Sequence, residues 1–389
     1  MNNEPQAASN DYGGFTFLDL RALNLVKAHH ALGVHVRQQA HKILLLLLDK
    51  LSEADLHRML IQARDSWESL EQRTKDPALA CLLRNALSEY LACLQAWAAG
   101  CQLETCEHPR LEGLSALDRA LLLQYDEGGC QTGFYRQADG AVILWHTEEN
   151  VEGKPGDRFD ALRLACFRVD GIDIYAFVYP DLLPGPAFGW RSDGYAQAVD
   201  TLHTRTFDGR IGGTLANSVC WLTLRLGASV AARDVLAATG PFYTGYALNT
   251  IYREVGQVSA GKLEFAGQQL TSERLGEEAG SHLFQANIFS DPRGQAARTM
   301  EYLPLEKWRL YRQRVYRTRR FMKEKLGRAS PDGDIAFIYK MMTSHAGGDW
   351  AYANDSVQAH FLQRVTVRGS ETWLGRGPAQ HPMEAVLKF

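Results

Sequence analysis

The sequence predicts an α+β fold, with a helical N-terminal region followed by a larger unit of antiparallel sheet and helices. Three observations predict it. Apolar residues recur at helical spacing, without interior proline, through much of the first hundred residues. Beyond residue 129, two stretches change to strand–turn–strand patterning around Asp-Gly pairs. Neither a G-x-x-x-x-G-K-[ST] loop nor a G-x-G-x-x-G following a strand occurs, and βαβ alternation is missing, so a phosphate-cradling α/β fold is not expected.

Taken in order, residues 1–14 are Asn, Ser, Gly and Pro with little to bury, and are expected to be disordered. Phe15 to Leu51 reads as one helix. "SEAD" at Ser52 to Asp55 reads as a capping box opening a second helix to about Gln72, broken by Asp76-Pro77. A third helix is expected from about Ala78 to Ala99, closed by Gly100. After a turn-rich stretch to Gly113, a short helix is expected over about 115–125. The region 15–125 is thus read as helical.

"TGFYRQADGAVILWHT" is two strands around Ala138-Asp139-Gly140, and "ALRLACFRVDGIDIYAFVYP" repeats the device at Asp170-Gly171. Further strands are expected over 194–201, 282–290, 335–342, 357–368 and 371–375. Helices are expected near 214–227, 230–238, 244–255 and 303–327. There is no internal repeat and no long linker.

Composition bounds the function. A chain of 389 residues with net charge -3 and pI near 6.5 does not have the basic surface of a nucleic-acid binder. The opening "MNNEPQAASNDYGG" is not a basic segment followed by an apolar run, and the run Ile43 to Leu48 is too short to cross a bilayer, so a cytoplasmic protein without membrane contact is expected. Seven cysteines, an odd number, point to reduced thiols. Cys101 and Cys106 have no zinc spacing and no second pair to complete a site, so no metal is expected, and no cofactor.

Among the cysteines, Cys130 follows two glycines and opens a strand. A thiol becomes a nucleophile when something removes its proton. Any of twelve histidines could do so, and no local signature selects one. A second solution is cleavage of the Gly129–Cys130 bond. The freed α-amine, with an ordinary pKa of about 7.7–8.0, would then be the base. The competing reading makes Cys130 a small apolar filler.

From Gly129 to Phe389 the chain resembles the acyl-coenzyme A:6-aminopenicillanate acyltransferase family, within the N-terminal-nucleophile hydrolases. Four ordered stretches carry the resemblance: "GCQTGFYRQADGAVILWHTEEN", "VYPDLLPGPAFGWRSDGYAQAVDTLH", "LFQANIF" and "WLGRGPAQHPMEAVLKF". It implies an αββα sandwich over about 126–389, with Gly129–Cys130 as a self-cleavage site and residues before it as a small subunit if cut. It implies Cys130 as nucleophile, Asn287 as oxyanion-hole donor and Glu148 as holder of the nucleophile's amine. The implied partners are a small-molecule amine and an acyl-thioester donor, coenzyme A or an acyl carrier protein, in natural-product biosynthesis; a homodimer is compatible. An amidohydrolase cleaving a small amide, and a non-catalytic scaffold, are the alternatives.

The chain departs from the family at three places. Arg191 stands where the glycine-rich turn has asparagine, Asp200 or Thr201 stands at a later asparagine, and His345 stands near an expected arginine. These departures argue against penicillin as substrate. Arg191 and His345 are candidate substrate contacts, Arg191 because a guanidinium can hold a carboxylate. His146 is a further candidate. For these residues bland roles compete: Asn287 as a turn cap, Glu148 as a solvated hairpin residue with Glu149 its rival, the histidines as structural. The basic helix Lys307 to Lys325 reads as a solvated face with Trp308, Tyr311, Val315 and Phe321 inward, or as a surface for an anionic carrier.

Overall fold

A computed structural model describes residues 9–12, 14–68, 76–124, 129–149, 161–204, 214, 216–290, 303–327, 331–343, 357–376 and 384–388. It is a mixed α+β structure with two sheets. The larger runs, in spatial order, β1 (Ser9–Tyr12), β2 (Phe15–Asp19), β5 (Arg163–Val169), β6 (Ile172–Val178), β7 (Phe188–Arg191), β8 (Tyr195–Leu202), β9 (Phe242–Glu254), β10 (Gln257–Gly267) and β11 (Gln269–Arg274). The smaller runs β12 (His282–Ala286), β3 (Gly129–Arg136), β4 (Val142–Glu149), β13 (Val357–Val365), β14 (Ser370–Arg376) and β15 (Glu384–Lys388). Strand pairs are antiparallel except β2 with β5.

Alternation along the strands sorts side chains into three apolar layers. Phe134, Leu144, Phe177, Phe188, Trp190, Phe361 and their neighbours fill the space between the two sheets. The other face of the large sheet, with Phe167, Val199, Leu248 and Phe265, is covered by α1 (Leu25–Lys50), α2 (Glu53–Glu68), α3 (Pro77–Cys101), α4 (Ala116–Leu123), α5 (Ala216–Leu226) and α6 (Ala232–Thr239). The other face of the small sheet, with Ile143, Trp145 and Phe284, is covered by α7 (Leu305–Lys325) and α8 (Pro331–Thr343). The order of layers is therefore helices, sheet, sheet, helices.

Both Asp-Gly hairpins form. Asp170 and Gly171 take φ of 53° and 79°, the left-handed pair that a tight hairpin needs. Ser52 accepts the Asp55 N–H at 3.1 Å, as the capping box requires, and the second helix is described to Glu68. The remainder of its expected span, to Gln72, lies outside the described residues.

Five expectations are corrected. Ser9–Tyr12 are not disordered but form β1, paired with β2. Phe15–Asp19 are a strand rather than helix: Phe15, Phe17 and Leu18 are buried along it, and the helix starts only at Leu25, where Asn24 caps the Lys27 N–H. Gly100 does not end the third helix, which continues to Cys101 and turns at Gln102 with φ 52°. Gly100 and Gly33 instead let α1 and α3 touch, since a Cβ on either would strike the other helix's backbone. Residues 244–255 are not helix but the long β9, hydrogen-bonded on both sides and largely buried. Residues 335–342 are not strand but lie in α8, where Asp334, Ile338, Met341 and Met342 are buried at helical spacing.

Candidate active site

The site is a consequence of hairpin register. Cys130 lies opposite Glu148 and Thr132 opposite His146, four and two residues further from the hairpin turn than the apolar pair Phe134 and Leu144. Period-2 alternation sends all of these to the face that meets the large sheet. Near the Asp139-Gly140 turn that face is apolar; at the far end it carries a thiol, a hydroxyl, an imidazole and a carboxylate, all buried.

These groups are joined into one network. The Cys130 thiol faces Glu148 Oε2 at 3.7 Å. The same oxygen accepts the Tyr179 hydroxyl, and Glu148 Oε1 lies 2.9 Å from His146 Nε2. His146 Nδ1 is 2.8 Å from the Thr132 hydroxyl, which donates to Asp200 Oδ2 at 2.6 Å. Asn249 Nδ2 donates to that oxygen at 2.7 Å. Asp200 and Asn249 belong to β8 and β9, so the chain of bonds crosses from sheet to sheet.

Proton bookkeeping fixes the imidazole. Thr132 has one hydroxyl hydrogen and gives it to Asp200, so Nδ1 carries a hydrogen and donates to Thr132. The contact between Nε2 and Glu148 then needs a proton of its own. Burial disfavours an imidazolium here, but the Glu148 charge and hydrogen bond, with Asp200 and Glu149 behind them, outweigh it and hold His146 above its ordinary value. Burial lifts Asp200 to about 7, against the pull of His146 and its hydrogen bonds. Cys130 is pushed well up by burial, then by Glu148, Asp200 and Glu149. The thiol is therefore stored protonated, in a pocket richer in carboxylates than in cations.

Asn287 sits one residue beyond β12. Its Oδ1 accepts the Cys130 backbone N–H at 3.3 Å, and its Nδ2 donates to Thr201 O at 2.9 Å, leaving one N–H unspent. Glu148 faces the sulfur of Cys130, while it is Asn287 that holds the nitrogen. Glu149, the rival of Glu148, is bound by Gln131 and by Arg314 of α7 at 3.3 Å. Tyr311 of the same helix lies against Arg314 and stacks on His203.

Of the residues singled out from sequence, Cys130, Glu148, His146 and Asn287 come together. Arg191 does not join them. Its guanidinium binds Asp193 through Nε and Nη2, and the Leu224 and Arg225 carbonyls at the end of α5 through Nη1. These bonds close a helix C-terminus and hold Asp193, and none of them reaches the Cys130 network. His345 lies outside the described residues. The basic helix forms as α7, with Phe321 buried and Val315 half-buried as expected; Trp308 and Tyr311 are half-buried. Sequence reasoning missed Thr132, Tyr179 and Asn249. Only the alternation of β3 could have flagged Thr132; the other two arrive through tertiary packing.

Among the described residues, Cys130, His146 and Glu148 also form the one cluster whose ligand atoms all lie within 4.8 Å of one another. All seven cysteines are free thiols. No helix among the described residues is long and apolar enough to cross a membrane. No protein-family model matches the chain, and no curated protein matches it.

Proposed function

We propose that the chain is a cysteine-dependent acyltransferase built on an αββα sandwich of the N-terminal-nucleophile type. In this reading Cys130 takes an acyl group from a thioester donor, coenzyme A or an acyl carrier protein, and passes it to a small-molecule amine. The observation that carries the reading is the setting of Cys130. It stands at the edge of the inter-sheet layer, with the Glu148 carboxylate at its sulfur and the Asn287 amide at its nitrogen.

The chemistry follows from that setting. As sulfur attacks the donor carbonyl, the thiol proton passes to Glu148, and the carbonyl oxygen gains charge. The unspent Asn287 N–H can meet that charge without needing a proton, a role worth about 2.7–4 kcal/mol where it has been measured. Collapse expels the donor thiolate, which is protonated as it leaves, and an acyl-thioester remains on Cys130. The amine then attacks that thioester and releases the thiol.

Self-cleavage strengthens the same reading. Sulfur attacks the Gly129 carbonyl, the C–N bond breaks, the Cys130 nitrogen takes a proton, and water hydrolyses the thioester. The free α-amine then sits beside Asn287, close to the carboxylates of Glu148, Glu149 and Asp200, which outnumber the cations Arg314 and His146. In its charged form it would draw the thiol down, and in its neutral form it would be a nearby base for the thiol proton. An amidohydrolase would use the same groups, with water replacing the amine.

The test is intact-protein mass spectrometry before and after exposure to a panel of acyl thioesters. Two fragments meeting at Gly129–Cys130, or an acyl mass gained on Cys130, support the reading. A single chain of 43.5 kDa that gains nothing from any thioester or amide overturns it.

A further inference from the structure

We propose that Cys130, His146 and Glu148 bind a thiophilic divalent cation, zinc above all, and that the ion reversibly blocks the nucleophile; the blocking rests on the catalytic role proposed for Cys130. A thiolate, an imidazole and one carboxylate are zinc ligands, and three protein ligands leave a fourth position open. Their ligand atoms lie within 4.8 Å of one another. Zinc bonds of about 2.0–2.3 Å place tetrahedral ligands roughly 3.5 Å apart, and Cys130 Sγ is already 3.7 Å from Glu148 Oε2.

Two further observations favour the ion. First, the outer partners are those of a metal site. His146 gives its Nδ1 hydrogen to Thr132, itself held by Asp200, so Nε2 points its bonding position at Glu148, the carboxylate that also faces the Cys130 sulfur. Glu148 is in turn oriented by Tyr179. Secondly, the pocket gathers Glu148, Glu149 and Asp200 around Cys130, with Arg314 and His146 as the facing cations. A divalent charge relieves that imbalance more fully than the single proton between His146 and Glu148. With only one carboxylate among the three ligands, the set suits zinc or cobalt rather than calcium or magnesium.

Binding balances simply. The ion forms bonds to sulfur, Nε2 and a Glu148 oxygen; the thiol proton and the proton between His146 and Glu148 leave to solvent. Affinity therefore rises with pH.

The test is a cobalt(II) titration of the full chain, read by absorption, with zinc added afterwards in competition. Expected are one ion per chain, tetrahedral cobalt bands, a thiolate-to-cobalt charge-transfer band, and loss of all bands when zinc displaces cobalt. Cys130→Ser should abolish the charge-transfer band. Thr132→Val should keep it but weaken affinity by roughly 10–100-fold, as loss of an outer partner does. A wild-type chain without the charge-transfer band, or a Cys130→Ser chain that retains it, overturns the site. Acyl-adduct formation is then followed with zinc present and again after a chelator. Equal acylation in both overturns the blocking. Cobalt bands without acylation under either condition leave the metal site standing and sink the acyltransferase reading instead.

Discussion

The hydroxyl of Thr132, on the small sheet, donates to the carboxylate of Asp200, on the large sheet, at 2.6 Å. This bond ties the two sheets together at the polar end of their interface. It also fixes which imidazole nitrogen of His146 faces Glu148. A single buried carboxylate thus orients, through two intermediaries, the group beside the Cys130 sulfur.

Asp200 should leave a mark on stability. Its folded pKa is raised from 3.8 to about 7. A raised acid favours the folded state while protonated, so its contribution is present at low pH and is lost as pH rises from about 4 to 7. His146, also raised, loses its contribution in the same direction as pH climbs through its folded value. The lowered carboxylates Asp19, Asp118 and Asp173 act at more acidic pH, but His29 and His203, which burial lowers to about 4, oppose Asp200 up to about pH 6.5, because only the unfolded chain protonates them there. In denaturant unfolding from pH 5 to 7 the wild type should therefore lose stability relative to Asp200→Asn, at up to the ~1.4 kcal/mol per pH unit that one proton carries. An unchanged slope in that variant would show that Asp200 ionises normally.

Asn287→Ala removes the unspent N–H and the acceptor of the Cys130 amide together. If acyl transfer is the activity, kcat should fall by about 10²–10³-fold, the loss typical of one oxyanion donor. Acyl-enzyme formation under single-turnover conditions should slow by a similar factor while the adduct stays on Cys130. A rate within twofold of wild type would remove Asn287 from the chemistry.

Arg191→Ala should be a stability variant and not a binding variant. The guanidinium is buried, paired to Asp193 and bonded to two helix-terminal carbonyls, and its atoms pack against Gly227. Loss of it strands those carbonyls and one carboxylate, at a cost of about 3 kcal/mol, the lower end for a broken buried pair because Asp193 is partly exposed. Chemical denaturation should read that loss, and Michaelis constants for accepted substrates should stay put. A raised KM with unchanged stability would give Arg191 the substrate-clamp role instead.

What the sequence made legible divides along physical lines. Local signals held: both Asp-Gly hairpins, the Ser52 capping box and the long amphipathic helices depend on neighbours a few residues away. Non-local signals failed. The residues of β9 read as helix because burial on both faces erases alternation, and the short apolar run of α8 fits either period. Gly100 looked like a helix end because its actual task, admitting the α1 backbone, involves residues about seventy positions away. The site was half legible for the same reason. Cys130, His146 and Glu148 lie on one hairpin, whose register is written in its turn. Asp200 was noted only as a departure in a family pattern, and Tyr179 and Asn249 reach the network from the opposite sheet.

Gly133 offers a direct check on the packing behind the site. It lies in β3 opposite Trp145, and a Cβ there would enter the indole ring. Trp145 is fully buried and belongs to the layer under α7 and α8. Gly133→Ala should therefore cost about 1–3 kcal/mol through overpacking. Trimming the ring in a Gly133→Ala/Trp145→Leu chain should make the two effects non-additive, because one change creates the space the other needs. Strict additivity would mean that the two residues do not touch.

The last prediction concerns cleavage. If the chain cuts itself before Cys130, residues 1–129 become a separate fragment, and the fold says what becomes of it. β2 is hydrogen-bonded in parallel to β5, with Thr16 to Asp19 paired to Arg163 to Cys166. Leu32 and Leu44 of α1 and Tyr90 and Trp97 of α3 share one core with Phe167, Val199, Trp221 and Leu248 of the remaining chain. Each fully buried large apolar side chain contributes roughly 1.5–3 kcal/mol, so the core shared across this boundary, with the β2–β5 pairing, outweighs the entropy of releasing a fragment. The two pieces should co-elute in size-exclusion chromatography at the mass of the intact chain and separate only in denaturant. Their unfolding should be a single transition whose midpoint depends on protein concentration, as dissociation on unfolding requires. Fragments that part in buffer alone would mean that the helical layer is not the permanent cover of the large sheet.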